Sequence, residues 1–161
     1  MIFEIDVSGQ DLLTPNYTVC IANKDLIKGF KFSAEYVQII NSRFGSNFYR
    51  YKKSRKGKAS LKVRIYCIII YFLLKSIKCK EIISLDLCRD FDGRESDIKE
   101  NLLFLIENKL NIKLERISFV KLSNNSNAHI YSYLMRKDNN NKLQTYVSIN
   151  LSEIEEFLIK K

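Results

Sequence analysis

Between Ile65 and Leu74 the chain runs for ten residues without a charge. A helix that apolar on every side has to be covered on every side. The stretch is about half of the ~20 residues that a bilayer crossing needs. It therefore reads as a helix buried in a protein core, not as a membrane span. Just upstream, between positions 50 and 64, eight of fifteen residues are Lys or Arg. The pattern predicts a helix from near Ser60 to about Ile77, with an exposed basic first half and a buried second half. Ser54 and Gly57 predict a flexible loop before it. A helix of this kind needs a sheet beneath it and further layers around it.

The flanking segments supply those layers. Phe3 to Val7, Tyr17 to Ala22 and Leu26 to Phe32 are rich in strand formers and separated by turn residues, which predicts a three-strand antiparallel meander. Ser33 can cap a helix from Ala34 to about Arg43. Ile82 to Cys88 reads as a central strand. Ser96 is expected to cap a helix carrying Ile98, Leu102, Leu105 and Ile106 on one face. Ile117 to Leu122 reads as a fifth strand. Asn127 to about Arg136 reads as a helix with Ile130, Tyr133 and Leu134 turned inward. Thr145 to Ile149 reads as a late strand, and Asn150 with Glu153 as the capping box of a final helix. The expected fold class is α/β: a mixed five-stranded sheet flanked by helices, with a short C-terminal strand-helix extension. Residues 1–161 read as a single domain.

Charge and cysteine usage narrow the partners. The net charge of +9 favours polyanions, with nucleic acid ahead of an anionic membrane surface. No membrane insertion is expected. Cys20, Cys67, Cys79 and Cys88 show no C-x-x-C spacing, and one histidine cannot complete a usual zinc set. All four read as reduced thiols in a cytoplasmic protein, and self-association is left open.

Three short signals carry chemistry. Asp6 lies near the end of the first strand. Asp86, Asp90 and Asp92 crowd the end of the central strand, within and after Leu85-Asp86-Leu87-Cys88-Arg89-Asp90-Phe91-Asp92-Gly93. His129 opens a helix. If the first and central strands lie side by side and parallel, Asp6 and Asp90 meet near their C-terminal ends, where open α/β sheets place their sites. Two carboxylates and an imidazole suit Mg²⁺ or Mn²⁺, the imidazole tilting the preference toward Mn²⁺. Any one of Asp86, Asp90 and Asp92 can be the second acid. The basic segment is a second candidate site. Arg50, Tyr51, Lys52, Lys53, Arg55, Lys56, Lys58, Lys62 and Arg64 interleave cations with aromatic rings, as surfaces that bind single strands do.

This order of elements resembles the ribonuclease H-like fold, and the local residues are most similar to the Piwi catalytic domain of Argonaute proteins. Ile5-Asp6-Val7-Ser8 resembles the first-strand motif of that family, Arg89-Asp90 its second acid, and Ala128-His129-Ile130 its helix-borne ligand. The likeness covers roughly residues 1–137. It implies a metal-ligand role for Asp6, Asp90 and His129, with the first acid bridging two ions and the other two each completing one. Phe91-Asp92 separates Asp90 from Gly93, a departure that keeps Asp92 in play. The family's catalytic Glu has no clear match, with Glu35 and Glu100 as candidates.

The expected function is a metal-dependent nuclease that hydrolyses phosphodiester bonds of DNA or RNA of single-stranded character by a two-metal-ion mechanism. The alternatives are a catalytically inactive nucleic-acid-binding module on the same fold, or a basic protein-interaction module.

Overall fold

A computed structural model describes residues 1–159 of the chain. The elements in order are β1 (Ile2–Ser8), β2 (Thr18–Ala22), β3 (Ile27–Lys31), α1 (Ala34–Arg43), α2 (Arg55–Ile77), β4 (Ile83–Leu87) and α3 (Glu95–Leu102). A π-helical segment, Leu103–Lys109, continues α3, and β5 (Leu114–Phe119), α4 (Asn127–Lys137) and α5 (Leu151–Glu155) follow. The strands form one mixed sheet in the order β3-β2-β1-β4-β5. β1, β2 and β3 are an antiparallel meander, while β4 and β5 run parallel to β1.

Strand alternation divides the sheet into two chemically different faces. Phe3, Ile5 and Val7 of β1 point to one side with their parallel partners Leu85 and Leu87, and all are buried. Glu4, Asp6 and Ser8 point to the other, with Asp86 beside Glu4. The apolar run of α2 is buried with α3, the π-helical segment and α5 around it and β2 and β3 against it. The opposite, polar face takes α4, which lies across β1, β2 and β3. No helix among the described residues is long and apolar enough to cross a membrane. All four cysteines are free thiols.

Several boundaries differ from the sequence reading. α2 begins at Arg55, not near Ser60, so no flexible loop precedes it there. Ser54 is its N-cap, accepting from the Gly57 N–H at 2.9 Å. Gly57 sits in the first turn because a Cβ there would collide with the Lys52 carbonyl oxygen. The glycine that reads as loop punctuation is a close backbone approach. α3 is entered from Arg94, with Ser96 already inside its first turn. β5 starts three residues before Ile117 and ends at Phe119. The charged residues Glu115 and Arg116 disguise it, as charges on edge strands do. The late strand is reduced to a single parallel bridge between Tyr146 and Gly29, closed by Gly29 N–H to Thr145 O and Val147 N–H to Gly29 O, both 2.8 Å. Asn150 and Glu153 do form the capping box of α5.

The inward face of α4 is also corrected. Ala128, Ser132 and Met135 are the buried residues, whereas Ile130, Tyr133 and Leu134 face out. The sheet beneath carries Gly29, where a Cβ would come within 2.5 Å of the Met135 sulfur. A helix packed that closely admits small side chains and one flexible Met, so the bulky residues turn to solvent.

Candidate functional site

Asp6 stands two residues before the end of β1 on the polar face and is 8% exposed. Its Oδ1 accepts the backbone N–H of Val7 at 2.8 Å. Its Oδ2 lies 2.9 Å from Nδ1 of His129. His129 occupies the third position of α4 because Ser126 caps that helix, accepting the His129 N–H at 3.1 Å. The cap sets where α4 starts, and its packing on β1 brings the imidazole to a carboxylate 123 residues away. The His129 side chain is 47% exposed against 11% for Asp6, so the histidine forms the outer half of the pair. Nδ1 is engaged, and Nε2 has no protein partner among the described residues.

Asp90 enters the same site from the loop after β4. It lines one cavity of about 460 Å³ with Asp6, Ser8 and His129. It lines a second, of about 370 Å³, with Asp6, Cys88 and His129. Desolvation raises the carboxyl of Asp90 above its ordinary range, and repulsion from Asp6 and then Asp92 adds to it. Glu4, one step down β1, is raised by burial and by the nearby Asp86 and Asp6 carboxylates, a Ser126 hydrogen bond opposing this. The thiol of Cys88 is pushed up to about 12 by burial, Asp90 and Asp6. Negative charge is thus concentrated at one point of a chain whose net charge is +9.

The other two acids are not brought in. Asp86 sits a full pleat back along β4, beside Glu4, and pairs with Arg116 at 3.4 Å. Asp92 is exposed in the turn closed by Gly93, whose φ is +77°, and acts on the site only through its charge on Asp90. Glu35 lies in the first turn of α1 and Glu100 in α3, and neither lines these cavities. Among the described residues, no group of three or more His, Cys, Asp or Glu side chains stands converged as a metal-binding cluster.

The basic segment divides into separate surfaces. Arg55, Lys58 and Lys62 follow one face of α2 and line a cavity of about 320 Å³ with Arg94, Asp11 and Asp90. This cationic cleft therefore opens directly beside the acidic site. Lys62 is held there by Asp11 at 2.6 Å. Arg50 and Arg64 are elsewhere. Both donate to the Phe157 carbonyl, Arg64 also bonds Asn101 at 2.6 Å, and they line a different cavity with Phe104 and Phe157. Tyr51 is half-buried beside them. Tyr49 goes into the core, its hydroxyl donating to Glu155 at 2.7 Å. Lys52, Lys53 and Lys56 are exposed and line none of these cavities. The reading of one continuous binding strip over 50–64 is corrected, because a helix starting at Arg55 distributes its cations around its axis.

Sequence reasoning missed Arg94 as part of the cleft. It follows the candidate acids by only a few residues, and its guanidinium reaches Ser60 of α2 at 3.1 Å. No protein-family model, curated protein or solved structure matches this chain.

Proposed function

We propose that the chain is a metal-dependent nuclease on a ribonuclease H-like fold, acting on DNA or RNA of single-stranded character. The observation that carries this reading is the Asp6–His129 contact with Asp90 across the same cavity. The strand order supports it: one acid comes from β1, the other from the loop after its parallel neighbour β4, and the histidine from the helix above them. The motifs that resemble Piwi domains, at Asp6, Asp90 and His129, supply the residues on which the reading rests.

The side chains present fit a divalent cation in donor chemistry. Nδ1 of His129 is held by a carboxylate while Nε2 is left over, an arrangement common among metal-ligating histidines, whose second nitrogen is fixed by an outer carboxylate. The Asp90 carboxyl, raised by burial and then by Asp6 and Asp92, is favoured in its charged form by a nearby cation. Asp90 and Nε2 of His129 would hold Mg²⁺ or Mn²⁺, with Asp6 as the outer carboxylate on Nδ1. Such ions, when bound, supply an activated water and charge stabilisation for phosphodiester hydrolysis. The chain's own residues do the rest. Asp6 fixes the orientation of the imidazole. Arg55, Lys58 and Lys62 draw the phosphate backbone toward the acids, offsetting the repulsion between carboxylates and phosphates.

The test is a panel of labelled oligonucleotides incubated with Mn²⁺ and with chelator. Cleavage should need the metal, vanish in Asp6→Asn and Asp90→Asn, and persist in Asp25→Asn, whose carboxylate sits in the exposed β2–β3 turn. Metal-independent cleavage, or full activity in Asp6→Asn, rejects the reading. A second reading, a binding module without catalysis, draws on the cationic cleft, which needs no chemistry beside it. Salt-sensitive binding with no cleavage in Mn²⁺ selects it.

A further inference from the structure

α4 presents a bulky apolar face to solvent at the place where the site opens. Ile130 is 37%, Tyr133 52% and Leu134 41% exposed. All three line the 460 Å³ cavity whose other walls include Asp6, Ser8, Asp90 and His129. The Tyr133 ring is flanked by two cations, the Arg136 guanidinium 5.7 Å and the Lys137 ammonium 5.8 Å from its centroid. Arg136 is itself anchored, its Nε donating to Ser8 Oγ at the end of β1 at 2.7 Å.

We propose that this wall is a base-stacking platform. One unpaired nucleotide of the substrate strand lays its base on Tyr133, against Ile130 and Leu134, and its phosphate faces Arg136 and Lys137. The inference rests on the nucleic-acid reading of the site and names the structural class of substrate that the site takes. Whatever lies over Asp6 and Asp90 also touches this wall, because the two share one cavity. An anionic polymer matches the two cations beside the ring. A base stacked within a duplex has no free face to offer, whereas an unpaired base gains the whole contact. The acids then lie between a phosphate-tracking cleft on the α2 side and a base-holding wall on the α4 side. Selection for unpaired strands comes from the wall, since Lys and Arg contacts to phosphate carry no such preference.

The experiment measures binding in chelator, with cleavage in Mn²⁺ scored separately. The probes are one labelled 20-nucleotide strand, the same strand fully paired, and single strands carrying 2-aminopurine at successive positions. Wild type should bind the single strand more tightly than the duplex and change 2-aminopurine fluorescence at one or two positions. Tyr133→Ala should weaken single-strand binding roughly ten-fold, leave duplex binding unaltered and lose the fluorescence change. Tyr133→Phe should retain all three properties. Single-strand binding unchanged in Tyr133→Ala overturns the proposal, and is the outcome expected if the wall docks a protein segment instead. Equal losses on single strand and duplex overturn it as well. Tyr133-dependent binding without cleavage would reject the nuclease and keep the platform. Cleavage that needs Asp6 but is indifferent to Tyr133 would do the reverse.

Discussion

Two triple substitutions that remove the same charge from different places test whether the cleft beside Asp90 is a binding surface. In one, Arg55, Lys58 and Lys62 become Gln; in the other, Lys52, Lys53 and Lys56 do. Each lowers the net charge from +9 to +6, three charges removed. Only the first set lines the cavity that Asp90 shares. Each phosphate neutralised on a single strand contributes about 0.7 to the slope of log affinity against log salt, so loss of three contacts flattens the slope by about 2. The second set acts only through the general field, which salt of ~0.15 M screens beyond about 8 Å. Its slope should change by well under 1. The assay is fluorescence anisotropy of a labelled single strand titrated at several salt concentrations in chelator. Gln keeps most of the length of each stem, and circular dichroism checks that α2 is intact. Equal slope changes in the two triples would refute the cleft and make the basic segment a diffuse attractor.

The remaining expectations concern stability and titration. The Tyr66 hydroxyl is buried with no hydrogen-bond partner among the described residues, its ring 4.6 Å from that of Phe91, so Tyr66→Phe should be neutral or stabilising by about 1 kcal/mol; a loss above about 1 kcal/mol in urea denaturation would show that the hydroxyl is satisfied. Gly57→Ala should destabilise by about 1–3 kcal/mol through collision with the Lys52 carbonyl, despite the ~1 kcal/mol by which Ala outranks Gly inside helices; an unchanged Tm contradicts it. The folded-state pKa of Asp90 lies above its unfolded value, so its stabilising increment is present below the unfolded value and is lost as pH rises through the folded one. Asp90→Asn should therefore raise the denaturation midpoint at neutral pH relative to wild type, with the gap closing below about pH 4; a variant less stable at pH 7 would reverse the sign. Asp6→Asn removes a charge that raises both Asp90 and Glu4, so NMR titration should find both carboxyls shifted downward; unmoved titrations would mean that the three are not electrostatically coupled.

What the amino-acid sequence determined by itself is short-range. Ser33, Ser126 and Asn150 place helix starts because a cap bonds backbone groups within three residues. Phe3, Ile5 and Val7 alternate with Glu4 and Asp6 because a strand has a period of two, so the acid was bound to lie opposite the core. The five-stranded α/β layout follows from that spacing and from the uncharged run of α2. Tertiary structure decided the rest. Which of Asp86, Asp90 and Asp92 meets Asp6 depends on the pairing register of β1 with β4, which no local pattern encodes. The start of α2 at Arg55 is the exception, a local cap by Ser54 and a close approach of Gly57 to Lys52 that the loop-like composition disguises. The exposed side of α4 was set by the sheet surface on which it packs, where Gly29 admits Met135 and leaves the bulky residues outside. Helical periodicity identifies two faces. Which one is buried depends on the shape of the partner surface, and here that choice turned Tyr133 toward the site.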